Sequence, residues 1–297
     1  MPVQQNEVDA TYLKHLSEAA QRKSFDPYRD IDWTVPIDRS HFYVPQDMIS
    51  LYGTEIWDRM NREQRAELSL HEACSTLAHG IWFENILSAC LLKYLYRTSP
   101  HDQHFYWMYQ EVADECRHSM MFAEVIRKAE VPWYQPAWWA IWAGRATKYL
   151  SPKVSVLIGT LAAEALTDYL NRRIVQDAEC HPIMRQLSRI HMIEEARHLG
   201  YARHWLKENY HRMPAATRAW MRIEAPITTA IIASQLVSPK VYSELKLPSG
   251  TAKIARKNPA RIKAVQAASA ELVEFLREID MIDDRSSQHW RTLHLMA

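Results

Sequence analysis

The chain contains 297 residues, 47% of them hydrophobic, which is enough for one large hydrophobic core or two modest ones. Only 6 glycines occur, and long stretches contain neither glycine nor proline, a pattern that favours long helices over many short strands. The 36 Lys and Arg residues nearly balance the 35 Asp and Glu residues, which argues against binding to a bulk polyanion such as DNA. We therefore predict an all-α protein without a nucleic-acid partner.

The N-terminal segment, 1–60, includes "FDPYRDIDWTVPIDRSHFYVPQD", in which Pro, Asp and aromatic residues alternate without helical periodicity. Its aromatic content is higher than that of disordered tails, so this segment is predicted to wrap around the rest of the domain. Four long helices are expected next, and each is long enough to line a bundle from end to end. They are predicted at residues 62–96, 103–129, 152–177 and 183–210.

The remaining residues, 211–297, are predicted to cover the bundle. "AATRAWMRIEAPITTAIIASQLV" indicates a fifth helix after Pro214, and a final helix is expected at residues 259–279. "KIARKNPARIK" between them is interpreted as a basic, exposed link, either a solvated surface or a docking surface. The tryptophan-rich "WYQPAWWAIW" lies earlier, between the second and third long helices, and indicates either a stacking pocket or packing at the bundle end. We expect the whole chain, 1–297, to form one domain with residues 61–210 as its core.

Cysteine usage and hydropathy bear on location. The four cysteines (Cys74, Cys90, Cys116 and Cys180) form no close-spaced pair, so they are expected to be buried and reduced. The N-terminus lacks the basic-then-apolar order of a signal peptide. The most apolar tracts are shorter than the ~20 residues of a membrane span. The sequence therefore predicts a cytoplasmic protein without a membrane span.

One expected helix, in "IHMIEEARHLG", concentrates ionisable side chains beside apolar ones. His191, Glu195 and His198 are spaced i, i+4 and i+7, so on a helix they fall within roughly 60° of one another. A mixed carboxylate and imidazole face suits iron or manganese, whereas Ca²⁺ prefers oxygen ligands alone. This helix is therefore predicted to supply three metal ligands.

The motif recurs in the other half of the chain. "DECRH" places Glu115 and His118 at i and i+3, as "EEARH" places Glu195 and His198. Each pair has a lone glutamate upstream at the same distance along the chain, because the interval from Glu84 to Glu115 equals that from Glu164 to Glu195. Each half therefore supplies a lone Glu and then Glu-x-x-His, which is the ligand arrangement of a dinuclear carboxylate site in a four-helix bundle.

Charge supports this interpretation. Glu164 interrupts the apolar run "VSVLIGTLAA", where an unpaired carboxylate would cost several kcal/mol or stay protonated. Two divalent metal ions would neutralise four such glutamates. His71, Glu72 and His79 compete with Glu84. Glu72 would break the equal spacing of the two halves, so all three are expected at the surface or just outside the ligands. Glu111 has the position of His191 in the other half, as a weak ligand, a hydrogen-bond partner or an ordinary bundle-face glutamate.

Further charged residues flank the motifs. Because a metal-bound imidazole usually donates its second N–H to a carboxylate, carboxylates next to the motifs are expected to orient the histidines. Asp114 and Glu194 are assigned that role, and Asp168 is a further candidate. Arg117 and Arg197 are expected to pair with these acids.

At these residues the sequence resembles the ferritin-like di-iron oxygenases. The additional imidazole in His-x-x-x-Glu-x-x-His makes it similar to the p-aminobenzoate N-oxygenase (AurF-like) family, over residues 60–210. In that family four glutamates and three histidines bind two irons, and every one has a residue of matching type here. The resemblance implies that two iron ions, with manganese as the other option, are bound by Glu84, Glu115, His118, Glu164, His191, Glu195 and His198.

The resemblance also implies an activity. A di-iron N-oxygenase activates O₂ and oxygenates a small amine, such as an arylamine, to a hydroxylamine and onward to a nitro compound. Its expected partners are the substrate, O₂ and an electron donor, either a reductase or ferredoxin-type protein or a small reductant. The resemblance further implies a homodimer.

Three rival activities share this type of bundle. A fatty-acyl desaturase or hydroxylase would need a long apolar channel and a surface for a carrier protein. A ferroxidase or iron-storage subunit would be shorter and would not need the terminal segments. A radical-generating ribonucleotide reductase subunit usually has a tyrosine where this chain has Phe122. A non-catalytic scaffold does not account for four converging glutamates.

Overall fold

The computed structural model describes residues 10–297, and almost all regular structure within them is helical. The α-helices are α1 (Ala10–Arg22), α2 (Glu55–Asp58), α3 (Arg62–Leu95), α4 (Gln103–Ala129), α5 (Trp138–Leu150), α6 (Lys153–Gln176), α7 (Pro182–Asn209), α8 (Ala215–Gln235), α9 (Lys240–Glu244), α10 (Thr251–Lys257), α11 (Pro259–Glu278) and α12 (Ser287–Thr292). The β-type pairing among these residues is a single isolated bridge between Phe42 and Cys180.

Four long helices form the bundle. α3 pairs with α4 and α6 pairs with α7 through short loops, and contacts of α3 with α6 and of α4 with α7 join the two pairs. The connection from α4 to α6 is longer and contains α5, as in ferritin-like bundles with one long crossover. The predicted all-α, ferritin-like bundle is confirmed, and its four helix ranges agree with the prediction to within one residue at each end.

Local sequence explains where these helices begin and end. The Asn61 side chain accepts a hydrogen bond from the Gln64 backbone N–H, and the Gln64 side chain accepts one from the backbone N–H of Asn61, forming a capping box at the start of α3. Asp102 caps α4 by accepting from the N–H of His104. α4 ends at Glu130, which adopts a left-handed conformation with φ of 52°. Each side-chain cap contributes roughly 1 kcal/mol.

The remaining segments cover the bundle. α8 and α11 pack on α6, while α1 packs on α4 and α7. The segment between α1 and α2 is tied to the rest by backbone hydrogen bonds, including one from the His181 N–H to the Phe42 carbonyl (2.8 Å). The Asn258 side chain donates to the carbonyls of Ser50 and Tyr52, at 2.9 Å each, and so joins this segment to the start of α11. No helix within residues 10–297 is both long and apolar enough to cross a membrane.

Three expectations about local structure are corrected. "KIARKNPARIK" exposes Lys253, Arg256 and Lys257 as expected, but it is more than a link, because it contains α10 and the buried cap residue Asn258. The tryptophan-rich stretch does not pack inside the bundle end, because Trp138 at the start of α5 is 75% exposed. Cys116 is exposed, since it lies on the outer face of α4, whereas the other three cysteines are buried and all four are free.

Candidate metal centre

The structure brings all seven predicted ligand residues together in the interior of the bundle. α3 supplies one, α4 two, α6 one and α7 three, and every one of these side chains is buried. They are Glu84, Glu115, His118, Glu164, His191, Glu195 and His198. Their spacing places them on the inner faces, because residues three, four and seven positions apart share one side of a helix.

Glu115 and Glu195 lie at the centre of this group, each between two imidazoles. His118 Nδ1 is 3.1 Å from Glu115 Oε2 and 3.1 Å from Glu195 Oε1. His198 Nδ1 is 3.0 Å from Glu115 Oε1 and 2.8 Å from Glu195 Oε2. Each carboxylate therefore has one oxygen near each histidine, which is the arrangement required to bridge two metal ions.

The third imidazole, His191, lies beside the same group. Its Nε2 is 3.6 Å from Glu84 Oε1 and 3.7 Å from Glu195 Oε1. Its Nδ1 lies 2.9 Å from the side-chain amide of Asn171. The atom of Asn171 at this distance is the amide nitrogen, which donates to Nδ1. A half-turn of the amide would instead bring its oxygen there as the acceptor for Nδ1–H and leave the lone pair of Nε2 for a metal ion.

Glu164 completes the group from α6. Its carboxylate lies with His191 and Glu195 in a cluster whose potential ligand atoms are within 4.8 Å of one another. The Thr167 hydroxyl donates to Glu164 Oε2 at 3.2 Å. Two further clusters of this kind, Glu84–His118–His191 and Glu115–Glu195–His198, also consist only of the seven predicted residues.

Carboxylates beyond this group orient two of the imidazoles. His118 Nε2 is 3.0 Å from Glu194 Oε2, so α7 holds a histidine of α4. His198 Nε2 is 2.8 Å from Glu111 Oε2 and 3.8 Å from Asp114 Oδ2, so α4 holds a histidine of α7. With Nε2–H donating outward, the Nδ1 lone pair of each ring faces the central glutamates.

Asp114 and Glu194 are also linked to the two predicted arginines. Asp114 accepts hydrogen bonds from both arginines, from Arg197 at 2.8 Å. Glu194 Oε1 lies 4.0 Å from Arg117 and 3.9 Å from Arg197, and it accepts a hydrogen bond from the Phe25 N–H at 3.3 Å. The arginines thus compensate the acids, and the segment after α1 contacts the centre through Glu194.

The expected role of Asp168 is wrong in this structure. Its carboxylate pairs with Arg172 at 2.7 Å, on the side of α6 that faces α11. Thr167 and Asn171, which lie on the other side of Glu164 around the helix, reach the centre instead. Relative to Glu164, a step of four residues places Asp168 about 40° to one side of the helix axis, whereas steps of three and seven residues place Thr167 and Asn171 about 60° and 20° to the other side.

The three rival residues on α3 are buried and lie away from the centre. Glu72 accepts hydrogen bonds from the backbone N–H and the hydroxyl of Ser50. His71 is hydrogen-bonded to the Tyr134 hydroxyl, and His79 Nδ1 donates to the Ser75 carbonyl at 2.7 Å. The expectation of a surface or ligand-adjacent position is therefore wrong for all three, because polar partners elsewhere in the fold allow their burial.

Burial and crowding perturb the ionisation of the clustered groups. Burial and the Glu115 carboxylate raise the pKa of Glu84 well above its usual range, and burial with Glu195 and Glu84 does the same for the pKa of Glu164. Burial opposes ionisation of Glu195, but His198 and His118 outweigh it and lower its pKa. Divalent cations at the centre would relieve the repulsion between carboxylates that raises the pKa values of Glu84 and Glu164.

Ionisation of the outer acids differs between the two partners of His198. Burial raises the pKa of Glu111 to about 7, with His198 acting in the opposite direction. Burial also opposes ionisation of Asp114, but hydrogen bonds with His198 and Arg197 lower its pKa below the ordinary value. Asp114 is therefore an anion at neutral pH, whereas Glu111 exchanges a proton near pH 7.

Buried polar atoms without partners test whether these residues fit a metal. Within the described chain, His191 Nε2, His198 Nδ1, Glu115 Oε1 and both carboxylate oxygens of Glu195 are buried without an aligned hydrogen bond. Buried polar atoms are usually paired. Other buried polar atoms of the described residues also lack an aligned partner, but these five lie together on four of the predicted ligand residues. The donor set fits iron or manganese.

Three residues around the centre were not assigned a definite role from the sequence, namely Thr167, Asn171 and Glu111. The available signal was spacing, because Thr167 and Asn171 lie three and seven residues after Glu164, on nearly the same face of α6. The contact of the Phe25 N–H with Glu194 could not be predicted from the sequence, since a backbone contact from a loop leaves no pattern of side chains.

Two adjacent spaces lie beside the centre. A small chamber of about 40 Å³ is lined by Glu84, Phe122, Glu164 and His191. A cavity of about 210 Å³ lies next to it between α3, α5, α6 and α8, and Glu84 and Glu164 line both spaces. The larger cavity therefore extends from the covering helices to the cluster.

The chain is similar to several known proteins. The family model for P-aminobenzoate N-oxygenase AurF matches residues 6–280. Uncharacterized proteins Rv0885 of Mycobacterium tuberculosis and Mb0909 of Mycobacterium bovis are each 27% identical over 261 residues, covering 81% of this chain and 74% of theirs.

Two solved structures of mutants of an R2-like ligand-binding oxidase, with an aerobically reconstituted Mn/Fe cofactor, align at a TM-score of 0.39. They cover 95% of this chain and 91% and 90% of their own, at 13% and 12% identity. The carboxylate and imidazole clusters in the core of this chain can hold a dinuclear metal site. Because the family model spans most of the chain, the protein belongs to the p-aminobenzoate N-oxygenase (AurF) family.

Proposed function

We propose that this protein is a di-iron oxygenase that N-oxygenates a small amine, with the seven clustered residues as its metal ligands. The observation that carries the proposal is the convergence of seven buried carboxylate and imidazole side chains, five of whose potential ligand atoms have no aligned hydrogen bond from the described residues. Four glutamates would neutralise two divalent ions, and the three histidines add no charge when neutral. The electron donor and the homodimer expected from the sequence belong to the same proposal.

Two bound irons would supply the electrons and Lewis acidity that O₂ activation requires. The balanced first step is R–NH₂ + O₂ + 2e⁻ + 2H⁺ → R–NHOH + H₂O. A ferredoxin-type protein or a small reductant provides the electrons. Further turns of the same chemistry lead to the nitroso and nitro compounds.

The residues of the chain orient ligands and handle protons. Glu194 holds His118 through a hydrogen bond with Nε2–H, and the Glu111 carboxylate lies 2.8 Å from Nε2 of His198. Because the pKa of Glu111 is about 7, this carboxyl can also accept or release one of the protons that the reaction consumes. Phe122 and Trp107, both buried, pack beside His118 and His198 and help to exclude water.

The lining of the 210 Å³ cavity supports the proposal of a neutral or cationic amine as the substrate. Its walls include Trp82, Phe83 and Ile86, and its polar side carries Glu224, which accepts a hydrogen bond from the Ser155 hydroxyl at 2.9 Å. None of the described residues that line it is a lysine, arginine or histidine. The carboxylate of a substrate such as p-aminobenzoate would therefore be repelled by the glutamates of the cavity and would find no cationic side chain to pair with. A neutral or cationic arylamine avoids this cost.

The same cavity favours an amine over a fatty acyl chain. It presents hydroxyl groups and three carboxylates along its walls, whereas a long acyl chain requires a continuous apolar channel. We therefore propose N-oxygenation ahead of acyl desaturation or hydroxylation.

The test is reconstitution of the whole chain with anaerobic Fe(II), followed by O₂, a reductant and matched arylamines. 4-Aminobenzylamine, p-toluidine and p-aminobenzoate differ mainly in the charge of one substituent. We expect oxygenated product from the first two, detected by mass spectrometry with ¹⁸O₂, and little from the third. Absence of ¹⁸O incorporation into every amine, while an acyl substrate is desaturated, would overturn the proposal.

A matched pair of variants tests the cavity assignment. Glu224→Gln should reduce the preference for 4-aminobenzylamine over p-toluidine by about tenfold, since it removes one charge-assisted contact. Glu274→Gln removes an exposed carboxylate from α11 and should leave the preference unchanged. An unchanged preference in Glu224→Gln would assign substrate entry elsewhere.

A further inference from the structure

A second, larger cavity lies away from the metal centre and brings together two sequence stretches that the proposed function does not use. Its volume is about 680 Å³, and it is bounded by the start of α5, the end of α8, and α9, α10 and α11. The tryptophan-rich stretch contributes Trp138 and Trp139, while the basic stretch contributes Arg256 and Arg261. Residues that are distant in sequence thus line a single cavity.

The charged lining of this cavity is entirely basic among the described residues. Lys240, Arg256 and Arg261 line it, and no Asp or Glu does. Lys240 and Arg256 are exposed and form no ion pair with any residue from 10 to 297. Arg261 donates to the Ala233 carbonyl at 3.3 Å and lies near Glu72, so it is partly compensated. The net charge of the lining is positive and selects anions.

The aromatic lining supplies a surface for a planar ring. Trp138 is 75% exposed and Trp139 is 41% exposed, although both border a cavity. Large exposed indole faces next to guanidinium groups are suited to stacking with a heteroaromatic ring. The ring and the anionic group of one ligand would therefore both find partners in the lining of the same cavity.

A buried histidine provides a hydrogen-bonding group for the ligand. His79 is 1% exposed and also lines this cavity. Because Nδ1 donates to the Ser75 carbonyl at 2.7 Å, the neutral ring carries its lone pair on Nε2. Burial lowers the pKa of His79, which favours this neutral form. Nε2 can therefore accept a hydrogen bond from an amino or hydroxyl group of the ligand.

We propose that this cavity binds a nucleotide, with the base on the tryptophans and the phosphates at Arg256 and Lys240. Three basic side chains exceed what a single carboxylate requires but match a phosphate chain. The volume also exceeds that of a single-ring acid and accommodates a base, a sugar and phosphates together. The site is separate from the metal ligands, so it stands or falls independently of the oxygenase proposal.

Calorimetric titration of the whole chain with four probes tests this. ADP should bind at least tenfold more tightly than adenosine, and inorganic phosphate should bind at least tenfold more weakly than ADP. 1-Naphthoate, a ring with one carboxylate, should also bind at least tenfold more weakly. Raising the salt concentration should weaken ADP binding and leave adenosine unchanged. Equal binding of ADP and adenosine, or of ADP and 1-naphthoate, overturns the proposal.

Exposed positions allow variants that leave the fold intact. Arg256→Gln should weaken ADP about tenfold and adenosine less than twofold, since it removes a phosphate contact. Trp138→Leu should weaken both ligands by a similar factor, since both carry the base. The matched controls are Lys253→Gln on α10 and Trp142→Leu on α5, which lie outside the cavity and should bind ADP as the wild type does. Equal losses in a control and in its partner variant would contradict the site.

Discussion

Replacing Glu164 by leucine should stabilise the metal-free protein while it removes metal binding. In the metal-free state this carboxyl is buried in the apolar part of α6, and the one hydrogen bond from the described residues to its side-chain oxygens comes from Thr167. Burial and the neighbouring carboxylates raise its pKa well above the usual range, which means that its charged form is strongly disfavoured. Leucine has no charge to desolvate and is compatible with the surrounding side chains.

The expected increase in stability can be estimated from the cost of burying the Glu164 carboxyl. A buried polar group with incomplete hydrogen bonding costs about 1–3 kcal/mol, and exchanging buried ionic groups for apolar ones of similar volume has stabilised proteins by about 1–4 kcal/mol. We therefore expect Glu164→Leu to raise the free energy of unfolding of the metal-free protein by about 1–3 kcal/mol. Saturating Fe(II) should stabilise the wild type further and stabilise the variant much less.

Urea denaturation with a chelator, and again under anaerobic Fe(II), measures both effects. Glu208→Leu is the control, because Glu208 is exposed on α7 and should change stability by no more than about 0.5 kcal/mol. A metal-free Glu164→Leu protein that is less stable than the wild type by about 1 kcal/mol or more would refute the reasoning. That result would mean that the Glu164 carboxyl stabilises the metal-free fold, so that its burial would not need metal binding as an explanation.

Three further predictions concern Glu194, Glu72 and Gly144. Glu194→Gln keeps an acceptor for His118 Nε2–H but loses the charge, so metal affinity in a chelator competition should fall about 10–100-fold; an affinity within twofold of wild type would contradict this. Burial raises the pKa of Glu72 from 4.5 to about 7, so its contribution to stability is present below pH 4.5 and is lost as pH rises through 7. The wild type should therefore lose about 3 kcal/mol relative to Glu72→Gln over that range, and parallel denaturation profiles of the two proteins would exclude the shift. Gly144→Ala would place a Cβ 2.5 Å from Ile86 and 2.8 Å from Trp82. It should therefore narrow the 210 Å³ cavity, lower the free energy of unfolding by about 1–3 kcal/mol and weaken arylamine binding. A variant with wild-type stability and wild-type binding would disprove the close approach.

Helix positions and the convergence of the seven residues could be predicted because both follow from local spacing. The equal intervals from Glu84 to Glu115 and from Glu164 to Glu195 imply two similar helix pairs. Within α7, the i, i+4, i+7 spacing that begins at His191 places three side chains on one face regardless of tertiary packing. The observed helices keep these spacings, so the side chains lie together in the interior.

The orienting groups could be predicted only in part, because they depend on how helices pack against each other. Glu111 and Asp114 lie one turn apart on α4, and their order around His198 is set by the position of α7. Asp168 differs from Thr167 by a single position, yet that step turns it towards α11 and Arg172. Sequence periodicity does not resolve such rotations when several neighbouring helices can accept the side chain.

The cavities could not be predicted, since they arise between segments that are distant in sequence. The close approach of α5 to α3 rests on Gly144, where Ile86 and Trp82 leave no room for a side chain. Nothing in the local pattern around Gly144 shows which helix it faces. In the same way, the basic and tryptophan-rich stretches face one cavity only because α10 and α5 lie at the same end of α8.

Anaerobic titration with Fe(II), followed by metal analysis of the desalted protein, tests the central claim most directly. We expect two irons per wild-type chain, and fewer than one after substitution of Glu115, the carboxylate that lies between His118 and His198. The exposed-residue control Glu208→Leu should retain two. A wild-type chain that saturates with one iron or none, or a Glu115→Ala chain that retains two, would contradict a dinuclear centre built from these residues.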